Sequence, residues 1–141
     1  MAFSDTRKAG TITNRDNEPA PDQGLLGETV VEGDGLSWDA GNSHWDKAHG
    51  DTATLKPVHA IAGRSGSAGE RIPLLQGCTM EGRCTGMTVG APIYISAVAA
   101  ADGKWTDAAP GGGSGDDNTA YGYAQTATRA VFSLPNVRTV A

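Results

Sequence analysis

The chain of 141 residues reads as all-β, a small β-barrel or β-sandwich of short strands with an extended N-terminal arm. Three observations predict this class. Glycine supplies 20 of the 141 residues, about twice the usual ~7%, which suits tight turns and opposes helices. Apolar residues alternate rather than recurring at helical spacing: Ile93 and Ile95 point to one face and Tyr94 and Ser96 to the other, behind the turn-forming Gly90-Ala91-Pro92. The pattern also occurs twice. Gly33-Asp34-Gly35-Leu36-Ser37-Trp38, His44-Trp45-Asp46-Lys47-Ala48 and Val58-His59-Ala60-Ile61-Ala62 lie on Gly90-Ala91-Pro92-Ile93-Tyr94-Ile95, Lys104-Trp105-Thr106-Asp107-Ala108 and Tyr121-Gly122-Tyr123-Ala124, with only small insertions between blocks.

The elements follow in order. Residues 1–26 mix charges (Asp5, Arg7, Lys8, Arg15, Asp16, Glu18, Asp22) with prolines and show almost no apolar periodicity, so the segment reads as an arm that orders on a partner, against the plainer alternative of a frayed terminus. Residues 27–141 form a single β domain, since a chain this long supports one core burying roughly two-thirds of its unfolded surface. Leu25–Val31 reads as the first strand and Gly33-Asp34-Gly35 as a turn. Asp39-Ala40-Gly41-Asn42 then turns the chain so that Trp38 and Trp45 become cross-strand neighbours. Residues 55–62 read as a strand whose Pro57 sets its start at an edge or bulge, followed by a loop from Gly63 to Gly69. Strand structure resumes at Arg71 and runs through Cys78 and Met80, with Gly82, Gly86 and Gly90 marking turns or bulges. The glycine run after Pro110, reaching Asn118, reads as an exposed flexible loop, and Val131–Leu134 as the last strand.

Composition narrows the function. A formal charge of −5 argues against a nucleic-acid surface. No apolar run approaches the ~18 residues of a membrane span, and Met1–Lys8 lacks the apolar core of a signal peptide, so the expectation is a soluble protein made in the cytosol. Cys78 and Cys84 are too few for a disulfide scaffold. A hairpin over Met80-Glu81-Gly82 would set the two face to face, whereas cytosolic thiols stay reduced, and the pairing is left open.

The expected catalytic, metal and cofactor sets are empty. Ser65 and Ser67, in Gly63-Arg64-Ser65-Gly66-Ser67-Ala68-Gly69, lack the glycine spacing and the strand-to-helix context of a nucleophile elbow. The loop after Pro110 lacks the Lys-Ser/Thr and the helix start of a phosphate loop. His44, His49 and His59 could meet Asp34, Asp39 or Asp46 across strands, but turn aspartates are more simply explained by hydrogen bonds to local amides. Trp38, Trp45 and Trp105 read as core or subunit-interface anchors together with Ile93, Ile95 and Tyr123, against the alternative of a sugar-stacking platform.

Several short stretches resemble the capsid decoration, or cement, proteins of tailed bacteriophages: Ala60-Ile61-Ala62, Ala68-Gly69-Glu70-Arg71-Ile72, Gly77, Val89-Gly90-Ala91-Pro92-Ile93-Tyr94, Gly103-Lys104-Trp105 and Tyr121-Gly122-Tyr123-Ala124. Together they span about residues 27 to 128. The resemblance implies a compact β-barrel or sandwich, a homotrimer, and a seat on the outer capsid surface between major capsid subunits. The thin core of a glycine-rich chain also favours association. The long arm and the glycine loop go beyond the family pattern. On this reading the protein is a structural virion component without catalytic residues, whose arm (Phe3, Arg7, Lys8, Ile12, Arg15) grips a neighbour or the major capsid protein. A chain shortened to begin at Gly27 should then keep its thermal midpoint and bind capsids more weakly. A glycan-binding β module and a trimeric hydrolase with its site between subunits are the other two readings.

Overall fold

The computed structural model describes residues 4–5, 10–15, 22–98, 101–110 and 115–135. In chain order the strands are β1 (Ser4–Asp5), β2 (Thr11–Arg15), β3 (Asp22–Leu25), β4 (Gly35–Asp39), β5 (His44–Lys47), β6 (Ala60–Ala62), β7 (Arg71–Leu75), β8 (Gly77–Glu81), β9 (Cys84–Thr85), β10 (Pro92–Ile95), β11 (Trp105–Thr106), β12 (Gly122–Ala124) and β13 (Arg129–Ser133). Among the described residues a single 3₁₀ turn, Thr52–Thr54, begins at an Asp51 cap and falls inside a stretch that the sequence left unassigned. The fold is all-β and takes the sandwich form rather than the closed barrel: a five-stranded sheet ordered β3-β7-β6-β4-β5 packs on a six-stranded sheet ordered β11-β10-β12-β13-β8-β2. The chain passes from one sheet to the other at Gln76, the single residue between β7 and β8.

The duplicated pattern is a duplicated hydrogen-bond frame. Strand orders β5-β4-β6-β7 and β11-β10-β12-β13 match, and so do the registers. Trp38 faces Trp45 as Ile95 faces Trp105, and Leu36 faces Ala60 as Ile93 faces Gly122. The amides of Gly33 and Gly90 donate to the carbonyls of Ala62 and Ala124 at 2.9 and 2.7 Å, and those of His59 and Tyr121 donate to Leu36 and Ile93, both at 2.8 Å. Each unit opens on a left-handed glycine, Gly33 at φ 91° and Gly90 at φ 85°, where a Cβ would be strained.

The two sheets stack front to back. Leu36, Ala60, Ala62 and Leu74 on the five-stranded sheet pack against Leu26 and Val30, which lie on this face after β3. Its other face carries Ile61 and Leu75 into the central core with Ile93, Ile95, Trp105, Ala124, Ala130 and Phe132 of the six-stranded sheet. Ile93, Ile95 and Trp105 are buried as expected, and each fully buried aliphatic side chain contributes roughly 1.5–3 kcal/mol. For Trp38 the core is corrected: it is 43% exposed in the single chain, because the front face of the first sheet is covered only as far as Trp45, which is partly buried, and of the two expected places the subunit interface is left.

The N-terminal segment is corrected as well. Instead of an arm separate from the domain, β2 pairs antiparallel with β8 (Ile12 opposite Met80, Arg15 opposite Cys78) and β3 with β7 (Gly24 opposite Ile72). Ile12 packs on the central core. Strand edges at β7 and β8 offer unpaired amides and carbonyls, and these pairings satisfy them although the segment has little apolar pattern of its own. Phe3, Arg7 and Lys8 lie outside the described residues.

Asp5 is tied more deeply still. Arg83, 2% exposed, donates from Nε to Asp5 Oδ1 at 3.0 Å and from Nη2 to Asp34 Oδ1 at 2.7 Å. It also donates to the carbonyls of Glu32 (2.8 Å) and Gly103 (3.2 Å), while the Trp105 amide donates to Asp5 Oδ2 at 2.6 Å. Burial pulls the guanidinium pKa down, but the charges of Asp5 and Asp34 outweigh it and hold the group above its ordinary value. The pairing is what permits a charge at this depth.

Candidate functional site

Two surface features stand out, one on each repeat. The first is a cleft of about 310 Å³ beside the β4–β5 hairpin, lined by Trp38, Asp39, Asp46, Leu55, Lys56 and His59. Asp39 closes the hairpin: its Oδ1 accepts from the Gly41 and Asn42 amides at 3.0 and 3.3 Å, and its Oδ2 accepts from the Asn42 side chain at 2.9 Å. The Asn42 side-chain bond lowers the Asp39 pKa, so this carboxylate stays ionised. His44, directly opposite in register, places Nε2 at 3.5 Å from Asp39 Oδ2 and 3.3 Å from Asp46 Oδ1. His59 Nδ1 accepts the Trp38 amide at 3.1 Å, and burial lowers its pKa, which favours the neutral acceptor form. The Trp38 ring leans on Trp45 with centroids 5.5 Å apart and keeps much of its own surface open to the cleft.

The second feature is the outer face of the six-stranded sheet. Tyr123 lies opposite Pro92 on one side and Val131 on the other, so the three form a cross-strand row. Tyr123 is 48% exposed, and Val89, in the turn before β10, is 69% exposed. In the first repeat the corresponding positions are Gly35, Ile61 and Leu75, all buried against the second sheet. The same lattice position is therefore core in one repeat and surface in the other.

The serines, cysteines and histidines weighed from sequence each have their own local setting. Ser65 Oγ accepts from the Glu32 amide at 2.9 Å, and the Ser67 amide donates to the Glu70 carboxylate. Cys78 and Cys84 are buried and not disulfide-bonded, and burial pushes Cys84 up to about 12, which keeps it protonated. The two cysteines sit in strands with different partners, so the hairpin that would have set them face to face does not form. His49 is buried with Nδ1 at 2.8 Å from Asp102 Oδ1. Near the glycine loop, Asp116 accepts from the Thr52 amide and buried Asp117 accepts from the Tyr121 hydroxyl, so its downstream end is anchored rather than free.

No family model, curated protein or solved structure matches the chain. Fold and site are thus read from the residues themselves. Of the expected anchors, Ile93, Ile95 and Trp105 meet in the core, Trp45 joins the smaller cluster, and Trp38 and Tyr123 stand apart on two surfaces. Sequence reasoning named Asp39, His44 and Asp46 among the residues that could meet across strands, and set the meeting aside in favour of local hydrogen bonds. The signal was present in the hairpin register, since Trp38 opposite Trp45 also sets Asp39 opposite His44.

Proposed function

We propose that the protein is a structural, non-catalytic module that docks on the outside of a phage capsid, as a homotrimer contacting the major capsid protein. The observation that carries this reading is the uncovered apolar row Pro92-Tyr123-Val131 on the sheet, with exposed Val89 in the turn that leads into β10. Large apolar groups held at solvent on a sheet face are what a docking surface needs, and a tyrosine adds a polar tip at low entropic cost. The cement-protein resemblance falls partly on these residues, Val89-Gly90-Ala91-Pro92 and Tyr121-Gly122-Tyr123-Ala124, which supports the choice of partner. Co-sedimentation with decoration-free heads of the phage that encodes the chain tests it. Wild type should pellet with heads, and Tyr123→Asp should reduce binding at least tenfold while keeping its thermal midpoint. Failure of wild type to pellet, or an unaffected Tyr123→Asp, overturns the reading.

A second reading, binding of a glycan, is favoured by one observation: Trp38 is exposed at a cleft flanked by carboxylates. Sugar rings stack on such an indole while carboxylates accept from their hydroxyls. Screening against immobilised glycans with wild type and Trp38→Ala separates the two readings, because Trp38 is remote from the Tyr123 row in the strand order.

A further inference from the structure

We propose that Asp39, His44 and Asp46 form a binding site for a first-row divalent cation of the zinc type, at the rim of the Trp38 cleft. The donor atoms, two carboxylate oxygens and His44 Nε2, all lie within 4.8 Å of one another. The histidine-to-carboxylate separations of 3.3 and 3.5 Å exceed the ~2.7–2.9 Å of a charge-assisted hydrogen bond. They match the edge of a coordination tetrahedron, about 3.3 Å for metal–ligand bonds of ~2.0–2.1 Å. Octahedral coordination at the same bond length would draw the donors to about 3.0 Å.

The valence of one nitrogen adds a second argument. His44 Nε2 offers one lone pair or one proton, so it can satisfy one carboxylate by a hydrogen bond and not two in different directions. A cation among the three satisfies all of them and offsets two negative charges. Lys56 lines the cleft but, among the described residues, makes no ion pair with either carboxylate.

The repeat supplies a comparison that owes nothing to the site's own geometry. Counting along the matched registers, Asp39, His44 and Asp46 correspond to Ser96, Lys104 and Thr106. The frame folds with that second set, which has no imidazole and no carboxylate. The three donors are therefore additions of the first repeat, and they fall on one side of one hairpin. Gly27 closes the site from β3's side: a Cβ there would stand 2.4 Å from His44 Nε2 and 2.6 Å from Asp46 Oδ1. A bare backbone at this point leaves room around both donors.

An imidazole with two carboxylates suits zinc and its first-row neighbours better than magnesium or calcium, which favour all-oxygen shells. Asp39 and Asp46 both line the cleft, so a fourth position would face it, available to water or to an oxygen ligand. The site is independent of capsid docking and is read on the free protein.

Calorimetric titration of the full chain with zinc chloride, and separately with calcium chloride, tests the site, with cobalt(II) absorption reporting coordination number. One zinc per chain is expected, with the intense visible band of four-coordinate cobalt and weaker calcium binding. His44→Ala and the triple variant D39S/H44K/D46T, which installs the second repeat's residues, should each bind zinc at least about tenfold more weakly. Glu81→Gln, on an exposed strand end in the other sheet, should bind as wild type does. The triple variant keeps the test valid if His44→Ala folds poorly. No zinc binding by wild type, zinc binding unchanged in the triple variant, or calcium bound as tightly as zinc would overturn the proposal.

Discussion

The first repeat, β4-β5-β6, and the second, β10-β11-β12, share strand order, register and several backbone hydrogen bonds and differ in what their faces meet. Trp38 and Ile95 occupy one position of the frame, yet Trp38 is exposed and Ile95 fully buried. Ile61 and Tyr123 occupy another, and there the burial is reversed. Burial at a given position is set by stacking order, not by the strand that carries it. Because the sheets stack front to back, one repeat presents its front edge to solvent and the other its back, and each open surface carries a candidate site.

The largest way to break this arrangement is to remove what binds the repeats together. A chain beginning at Gly27 loses β1, β2, β3 and Asp5, leaving Arg83 with half its charge compensation, so it should lose its cooperative melt by circular dichroism. That reverses the expectation drawn from sequence. Asp34→Ala installs the residue found at the second repeat's equivalent, Ala91, and strips Arg83 of its other carboxylate. Breaking such a buried pair typically costs about 3–5 kcal/mol, measurable by urea denaturation. An effect under about 1 kcal/mol would mean that water reaches Arg83.

Equivalent aromatic positions should diverge next. Trp105→Ala removes a ring that touches Phe132 (centroids 4.7 Å) and Tyr121, and should cost about 3–5 kcal/mol. Trp38→Ile, giving the first repeat the residue of Ile95, should stay within about 1 kcal/mol because so much of the ring is already in water. Equal losses at the two sites would show that a partner subunit covers Trp38.

The smallest effect concerns His59, where the second repeat has Tyr121. Burial holds the folded-state pKa of His59 below its unfolded value, so the unfolded chain binds more protons as pH falls. Stability is therefore full above the ordinary histidine pKa of ~6.5 and declines as pH drops through it. His59→Gln keeps an acceptor for the Trp38 amide and should flatten that decline between about pH 7 and 5. An unchanged slope would assign the pH dependence to other groups.

These comparisons also mark what was legible. Period-two alternation and the glycine turns place β4, β5, β10 and β13 near their true bounds, while the strand read over 55–62 is only Ala60–Ala62 and that read over Leu25–Val31 keeps only Leu25 in β3; the repeat shows in sequence because its hydrogen-bond frame constrains the same turn and strand residues twice. Alternation left core and subunit interface open for Trp38 because it assigns a side chain to a face without saying what covers that face. β2 and β3 were missed because edge pairing is a backbone contract that needs no apolar pattern in the added strand. Cys84 illustrates the same limit: its strand pairs with β1, a two-residue element whose partner no local signal announces.

The Asp5–Arg83–Trp105 junction has a consequence for biosynthesis. Its hydrogen bonds close loops of 78 and 100 residues, joining Asp5 to two residues made that much later. At roughly 5–20 residues per second, the ribosome needs roughly 5 to 20 s after Asp5 before Trp105 exists to receive it. During that interval β2 and β3 have no sheet edge to join until β7 and β8 follow, and folding from such distant contacts is intrinsically slow. Until then the nascent chain carries unpaired strands, which makes the pace of translation and access to chaperones a determinant of its yield.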